Sequence, residues 1–380
     1  MITLKVKGRA RSIDLSFPIS ERELETKLSI IDADTFIQPI LEVEKVIEPK
    51  CMHRLEGQRI NLDEINYLAK RIDSFTFREE NKYNAIVEQE MMSNPKDMIN
   101  LTFDTDYKYT LIQDISNMTA VGKAHVLSQQ GGIVVENQMS DEEYAEIGRK
   151  LMSSGTGVLS EYGLLFKNTD AQLAEVYNGE VFPMYSYDGS EIATVEIACG
   201  DRKEYLYLPC EPQAISKAFF RLGCNDDFYS AKLIDFSIDS PEWTKKFELY
   251  LDQEEIYEMN RFADSIGSAN VDLDKLSTIV EYAEVDTARE ISRLADCLDY
   301  FEIIPDDDDY EAVGNHLVDY DDDYSASDSL RQYIDHDELG QDFANEHDGE
   351  FTSGGFVYID SELTLSQILD EDVSMGHHQI

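Results

Sequence analysis

Between residues 299 and 372 the chain carries 24 Asp and Glu residues against a single basic one, Arg331. Thirteen of them gather in three groups: Asp306, Asp307, Asp308, Asp309 and Glu311; Asp319, Asp321, Asp322 and Asp323; Asp335, Asp337, Glu338 and Asp342. Carboxylates at this density serve metal binding, acid–base chemistry or the display of charge. For calcium, Asp335, Asp337, Gly340 and Glu346 fall at positions 1, 3, 6 and 12 of an EF-hand loop. Leu339 stands where that loop needs an oxygen ligand, and Asp342 where it needs an apolar residue, so no metal site is expected. For catalysis, the seven histidines form no HExxH pair, and there is neither a GxSxG elbow nor a P-loop. No pair among 78 carboxylates stands out for proton transfer. The sequence therefore predicts no catalytic residue, no cofactor and no enzyme. Charge display is the use that survives.

A charge run by itself is ordinarily a solvated tail. This one is interrupted regularly by Tyr310, Val313, Leu317, Tyr320, Tyr324, Leu330, Tyr333, Leu339, Phe343, Phe351 and Phe356. Val313, Leu317, Tyr320 and Tyr324 are spaced 4, 3 and 4, which predicts one buried helical face with the carboxylates opposite. Holding like charges one turn apart costs a helix a few tenths of a kcal/mol per pair. B-DNA carries about one charge per 1.7 Å of axis, and its protein partners meet it with Lys and Arg. Carboxylates fixed on a fold would offer such a groove the same charge with a shape attached. The thirteen acids named above are the candidate partner-binding set.

The whole chain fits that use. Its 380 residues are 42% hydrophobic and 10% aromatic, enough to bury real cores, yet Lys and Arg number 32 and the formal charge is −46. That field repels nucleic acid and anionic membrane and attracts basic surfaces. The acid is uneven, with a net charge of −11 over residues 1–190 and −35 over residues 191–380. Halophilic adaptation predicts an even spread instead. A basic, aromatic-interleaved stretch for nucleic-acid binding is missing. The cysteines, Cys51, Cys199, Cys210, Cys224 and Cys297, are odd in number without CxxC spacing and read as reduced thiols. The start lacks a signal-like apolar segment, and no run approaches 18 apolar residues. A cytoplasmic protein with no membrane partner is the expectation.

The chain also repeats itself. Residues 13–18 (IDLSFP) are answered by residues 204–209 (EYLYLP), and each strand-like run leads into a helix-like one, over 20–28 and 211–220. Residues 64–69 (EINYLA) are answered by 258–263 (EMNRFA), 120–122 (AVG) by 312–314 (AVG), Gly148 by Gly340, and 157–164 by 349–356. The order holds and the offset drifts only from 191 to 194. This predicts two modules, 1–168 and 192–361, joined by a linker over 169–191 and followed by a polar, acidic tail over 362–380. Within each, a strand-rich opening precedes a helical middle (62–89; 253–299) and a mixed end. The fold class is α+β, an elongated chain of small subdomains.

Residues 330–342 (LRQYIDHDELGQD) resemble the YID…YGRD signature near the end of ArdA antirestriction proteins. Residues 256–262 (IYEMNRF) resemble the E-L-N-R/Y-L helix of that family, and residues 63–71 (DEINYLAKR) are similar to it in the first half. The resemblance covers one whole unit in the second half and a diverged one in the first. It implies three-subdomain α+β units that form elongated dimers, here as two ArdA-like modules in one pseudo-dimeric chain that could associate further. It implies carboxylates that copy the phosphates of bent B-form DNA. The partner it implies is the DNA-binding methyltransferase core of a type I restriction–modification enzyme, blocked by occupancy in the host cytoplasm on behalf of a mobile genetic element. His336 stands where the family's helix usually has Tyr, and the first copy lacks much of the signature and most of the acid. Symmetric mimicry is therefore not implied. An acidic inhibitor or binding module for another basic DNA-binding protein, such as a different anti-phage defence effector, remains the alternative.

Overall fold

The computed structural model describes residues 1–370 apart from 34–35, 130–138, 156, 170–171, 185–190, 224–229, 237–255, 268–270, 306–308 and 322. The chain divides into two compact units. Unit 1 is residues 1–189 with 202–204 and 213–225, and unit 2 is the remainder.

Alternating apolar residues open unit 1. Strands β1 (Ile2–Lys7), β2 (Ser12–Phe17), β3 (Ile40–Glu48) and β4 (Arg59–Asn61) form an antiparallel sheet in the order β2-β1-β3-β4. Ile2, Leu4, Val6, Leu15 and Phe17 bury one face, as a period of two requires. Helix α1 (Glu21–Ile30), capped by Ser20, adds Leu24 and Leu28 to the same core. The middle is helical, with α2 (Leu62–Asp73), α3 (Phe77–Gln89) and α4 (Pro95–Leu101). The segment read as a helical middle, residues 62–89, is two helices. The break falls where Thr76 and Glu79 form a capping box and start a new helix. A short turn of helix, α5 (Thr105–Lys108), leads into β5 (Tyr109–Ile112), the helix pair α6 (Met118–Gln129) and α7 (Asp141–Ser154), and the hairpin β6 (Gly157–Ser160) and β7 (Gly163–Lys167). These strands order β5-β7-β6.

Helix α8 (Pro212–Leu222) supplies unit 1 with a buried ionic cluster. Lys217 is 1% exposed, with its Nζ 2.6 Å from both Asp63 and Glu21 and 4.2 Å from the ring centre of Phe36. Arg221 grips Glu204 through two nitrogens and lies 5.0 Å from the Phe182 ring. Burial pushes the Asp63 and Glu204 carboxyls up, while Lys217 and Arg221 pull against it. Each buried acid thus has its cation, the condition under which such a group is tolerated.

Unit 2 begins with β8 (Ala193–Cys199), the part of β9 (Arg202–Leu208) from Tyr205 onward, and β10 (Ser230–Phe236), strands ordered β10-β8-β9. Three amphipathic helices follow: α9 (Ile256–Gly267), α10 (Leu273–Ala283) and α11 (Ala288–Asp296). The end comprises β11 (Phe301–Ile304), α12 (Tyr310–Tyr320), α13 (Asp328–Arg331), α14 (His336–Glu346), β12 (Glu350–Thr352), β13 (Gly355–Ile359) and α15 (Leu365–Leu369). Its sheet orders β11-β13-β12. The molecule is α+β, built on several small sheets.

Specific contacts recur inside the two units. Asn66 clamps the backbone N–H and C=O of Ile19, at 2.9 Å each, and Asn260 does the same to Cys210, at 2.7 and 2.9 Å. A Cβ on Gly122 would stand 1.9 Å from the Tyr144 carbonyl oxygen, and one on Gly148 2.1 Å from that of Met118. The corresponding distances are 1.9 Å from Gly314 to His336 and 2.0 Å from Gly340 to Tyr310. In both units the helices of the last subdomain therefore touch backbone to backbone, which only glycine permits.

Packing carries beyond both sequence-predicted module ends. In the stretch read as a linker, Tyr177 is buried and held by Asn100 through its N–H and C=O. Phe182 stacks between Tyr67 and Tyr177, at 4.7 and 5.3 Å. In the stretch read as a tail, α15 buries Ile368. Large apolar side chains decide both outcomes, since each gains more from burial than the short segment loses in entropy. Among the described residues no helix is long and apolar enough to cross a membrane.

Gly314→Ala or Gly340→Ala should each cost about 2–3 kcal/mol, because a backbone oxygen cannot move aside as a side chain does. Gly57→Ala meets nothing within 4 Å and should cost only about 1 kcal/mol for its left-handed backbone. Urea midpoints of the three variants test this ordering, and equal losses would refute it.

Candidate functional site

The acidic end of unit 2 is held by a small aromatic core. Ile304, Val313, Leu317, Phe343, Ala344 and Phe356 are buried together, with Tyr310, Tyr324, Leu339, Phe351 and Tyr358 packed against them. Phe343 is the hub, 5.7 Å from Tyr324, 5.0 Å from Tyr358 and 4.3 Å from His347.

Helix α14 starts because Asp335 caps it, accepting the Glu338 N–H at 3.2 Å. Gly340, Phe343 and Ala344 form its buried face. Asp335, Glu338, Asp342 and Glu346 follow one another at spacings of 3, 4 and 4, so they form one stripe opposite that face. All four are exposed, and none makes an ion pair with a described residue. Glu346 is the member that a reading by charge runs overlooks. The signal that finds it is helical spacing rather than adjacency.

Helix α12 is built likewise. Asp309 caps it through the Ala312 N–H at 2.8 Å, Glu311 lies exposed in its first turn, and Val313 and Leu317 face the core. Acids at these positions meet the positive end of the helix dipole, which offsets part of their repulsion. The helix ends at Tyr320. Asp321 then turns the chain, accepting the Asp323 N–H at 2.9 Å. Arg331 bonds Asp319 and the carbonyls of Val318 and Ala326, both at 3.1 Å, and so ties residues 326–331 to the end of α12.

Nine of the thirteen expected acids can therefore be placed. Asp309 and Asp335 are caps, Asp321 is half-buried in a turn, and Asp319 is paired with Arg331. Glu311, Asp323, Asp337, Glu338 and Asp342 are exposed, with no ion pair to a described residue. Asp306, Asp307, Asp308 and Asp322 lie outside the described residues. One expectation is corrected: Tyr320 does not share the buried face of Val313 and Leu317 but is 78% exposed. The helix stops at that residue, so its spacing no longer points inward, while Tyr324 returns to the core through the turn.

The EF-hand register of residues 335–346 is a cap followed by helix, which cannot fold its oxygens around one point. Among the described residues no group of three or more His, Cys, Asp and Glu is placed to hold a metal. The acid makes itself felt within the core. Burial first, and then Glu346, Asp321 and Asp323, raise the Tyr324 phenol above its ordinary range. Burial, Asp360, Glu302 and Asp321 push Tyr358 up to about 12.

Unit 1 treats its carboxylates differently. Lys5–Glu44, Lys27–Glu23, Lys82–Asp106, Lys96–Glu175 and Lys123–Asp141 are surface pairs of 2.5–3.2 Å. The acidic end of unit 2 has Arg331–Asp319 as its pair among the described residues. The chain matches no family model and no curated protein.

Asp335→Ala should lose about 1 kcal/mol, the worth of a helix cap. Asp342→Asn should cost nothing or gain a few tenths of a kcal/mol by relieving its like-charged neighbours one turn away. Chemical unfolding of the two variants separates a structural acid from a displayed one, and the reverse ordering would sink the distinction.

Proposed function

We propose that this protein is a DNA mimic. Its unit 2 occupies the DNA-binding groove of a type I restriction–modification enzyme and excludes DNA by charge and bulk, without catalysis. The observation that carries this reading is the stripe Asp335, Glu338, Asp342 and Glu346, exposed and unpaired among the described residues on a helix that the core holds fixed. A solvated tail could carry the charge but not a position. The ArdA resemblance of residues 330–342 names the target class, because that stripe lies within the matching stretch and just beyond it. On this reading the two units are tandem copies of one module, supported by the recurring Asn66/Asn260 clamps and glycine contacts. The second copy is the mimic surface. The first, with its acids paired to lysines, serves as a frame. Such a protein works in the cytoplasm, where its target meets DNA.

The test is competition for a type I methyltransferase core between labelled DNA and the purified protein, across a salt series. Displacement at near-stoichiometric protein that weakens as salt rises is the expected result, as for DNA itself. The variant E311Q/D323N/D337N/E338Q/D342N should displace at least about tenfold less well at low salt. Its stability should stay within about 1 kcal/mol, since lost dipole contacts offset relieved repulsion. Displacement retained by that variant would move the contact away from this surface. Failure of the wild type to displace at any salt would overturn the choice of target and leave another basic protein as the partner.

A further inference from the structure

We propose that Tyr320, Leu330 and Tyr333 form an apolar anchor within the acidic surface, which takes arginine side chains of a basic protein partner in preference to lysine. This rests on the reading that the acidic end of unit 2 docks a basic protein. The three side chains are 78%, 59% and 79% exposed, in a stretch where Val313, Leu317 and Phe343 are buried. They are held in place. Tyr320 is the last residue of α12, Arg331 ties residues 326–331 to that helix end, and the Tyr333 N–H bonds the Leu330 carbonyl at 2.9 Å. Asp319, Asp321 and Asp323 flank Tyr320 in the chain, and Asp335 and Asp337 follow Tyr333 within four residues.

Exposed aromatics among carboxylates favour one chemistry above others. A guanidinium is planar and weakly hydrated, so it can stack on a ring while it bonds a carboxylate, whereas an ammonium holds its water and acts as a point charge. Unit 1 sets a cation between ring and carboxylate with either residue: Arg221 lies 5.0 Å from the Phe182 ring while it grips Glu204, and Lys217, buried away from water, lies 4.2 Å from the Phe36 ring. At an exposed site the ammonium keeps its water and the guanidinium is favoured. Arg71 lies 4.6 Å from the Phe103 ring. A second copy of this chain would bring acid against acid at a net charge of −46. Charge complementarity therefore selects a basic partner, and the rings select arginine within it.

The experiment measures binding of oligo-arginine and oligo-lysine peptides of equal length to the full chain, with light scattering to follow its mass. In Y320A/Y333A the arginine peptide should bind about fivefold more weakly while the lysine peptide changes less than about twofold. Y320F/Y333F should keep the preference, because phenylalanine also offers a ring. Both peptides unchanged, or both weakened equally, would overturn the proposal. So would a fall in oligomeric mass with the preference intact, which would assign the patch to a second copy. No restriction enzyme takes part, so a wrong target under the mimicry reading leaves this result standing, and the reverse also holds.

Discussion

Mutual repulsion among carboxylates is what the end of unit 2 has to fold against. Its answer is to make each acid that it can a structural part. Asp309 and Asp335 begin helices, Asp321 makes a turn, and Glu311, Asp337 and Glu338 sit where the helix dipole is positive. The remaining repulsion falls on a core made dense by aromatic rings and by helices α12 and α14 in backbone contact. Large rings bury much area per residue. Few core positions are then needed, and the outward faces are left free for charge. Position is thereby secured, since a carboxylate that accepts a backbone N–H is fixed by that bond.

Unit 1 shows that helices in backbone contact do not demand the acid. It has glycine contacts of the same kind, with lysines set against its surface carboxylates and a cation for each buried one. Unpaired acids cost stability and call for a use outside folding. That contrast in how the two units pair their acids says more than the net charge, which a general solubility requirement could also explain.

Much of this was legible from residues alone. Strands β2 and β9 followed from the alternation in IDLSFP and EYLYLP, and the Asn66 and Asn260 clamps lie in the EINYLA and EMNRFA matches. The AVG pair contains the glycines that let helices touch. What stayed hidden depends on where helices stop and on contacts distant in sequence. Spacing assigned Tyr320 to the core, but a helix end governs it, and helix ends are set by single hydrogen bonds that periodicity does not register. The docking of Tyr177 onto Asn100 joins residues 77 positions apart. The ionic cluster on Lys217 joins 154. At the candidate site the runs of Asp drew attention to adjacency, whereas the ordered feature is a helical stripe that ends at Glu346.

The stripe also bounds what the surface can imitate. Residues four apart on a helix rise by about 6 Å, so one stripe sets one charge per turn or so along its axis. A single DNA strand sets one about every 3.4 Å, and the duplex one about every 1.7 Å. No single helix can reach that density. Two helices in contact do better, and here α12 and α14 touch because Gly314 and Gly340 remove the side chains that would hold them apart. Close helix contact is thus more than a packing device. It sets how densely the carboxylates of neighbouring helices can be laid, and so how nearly a protein surface can approach the charge of the polymer it would replace.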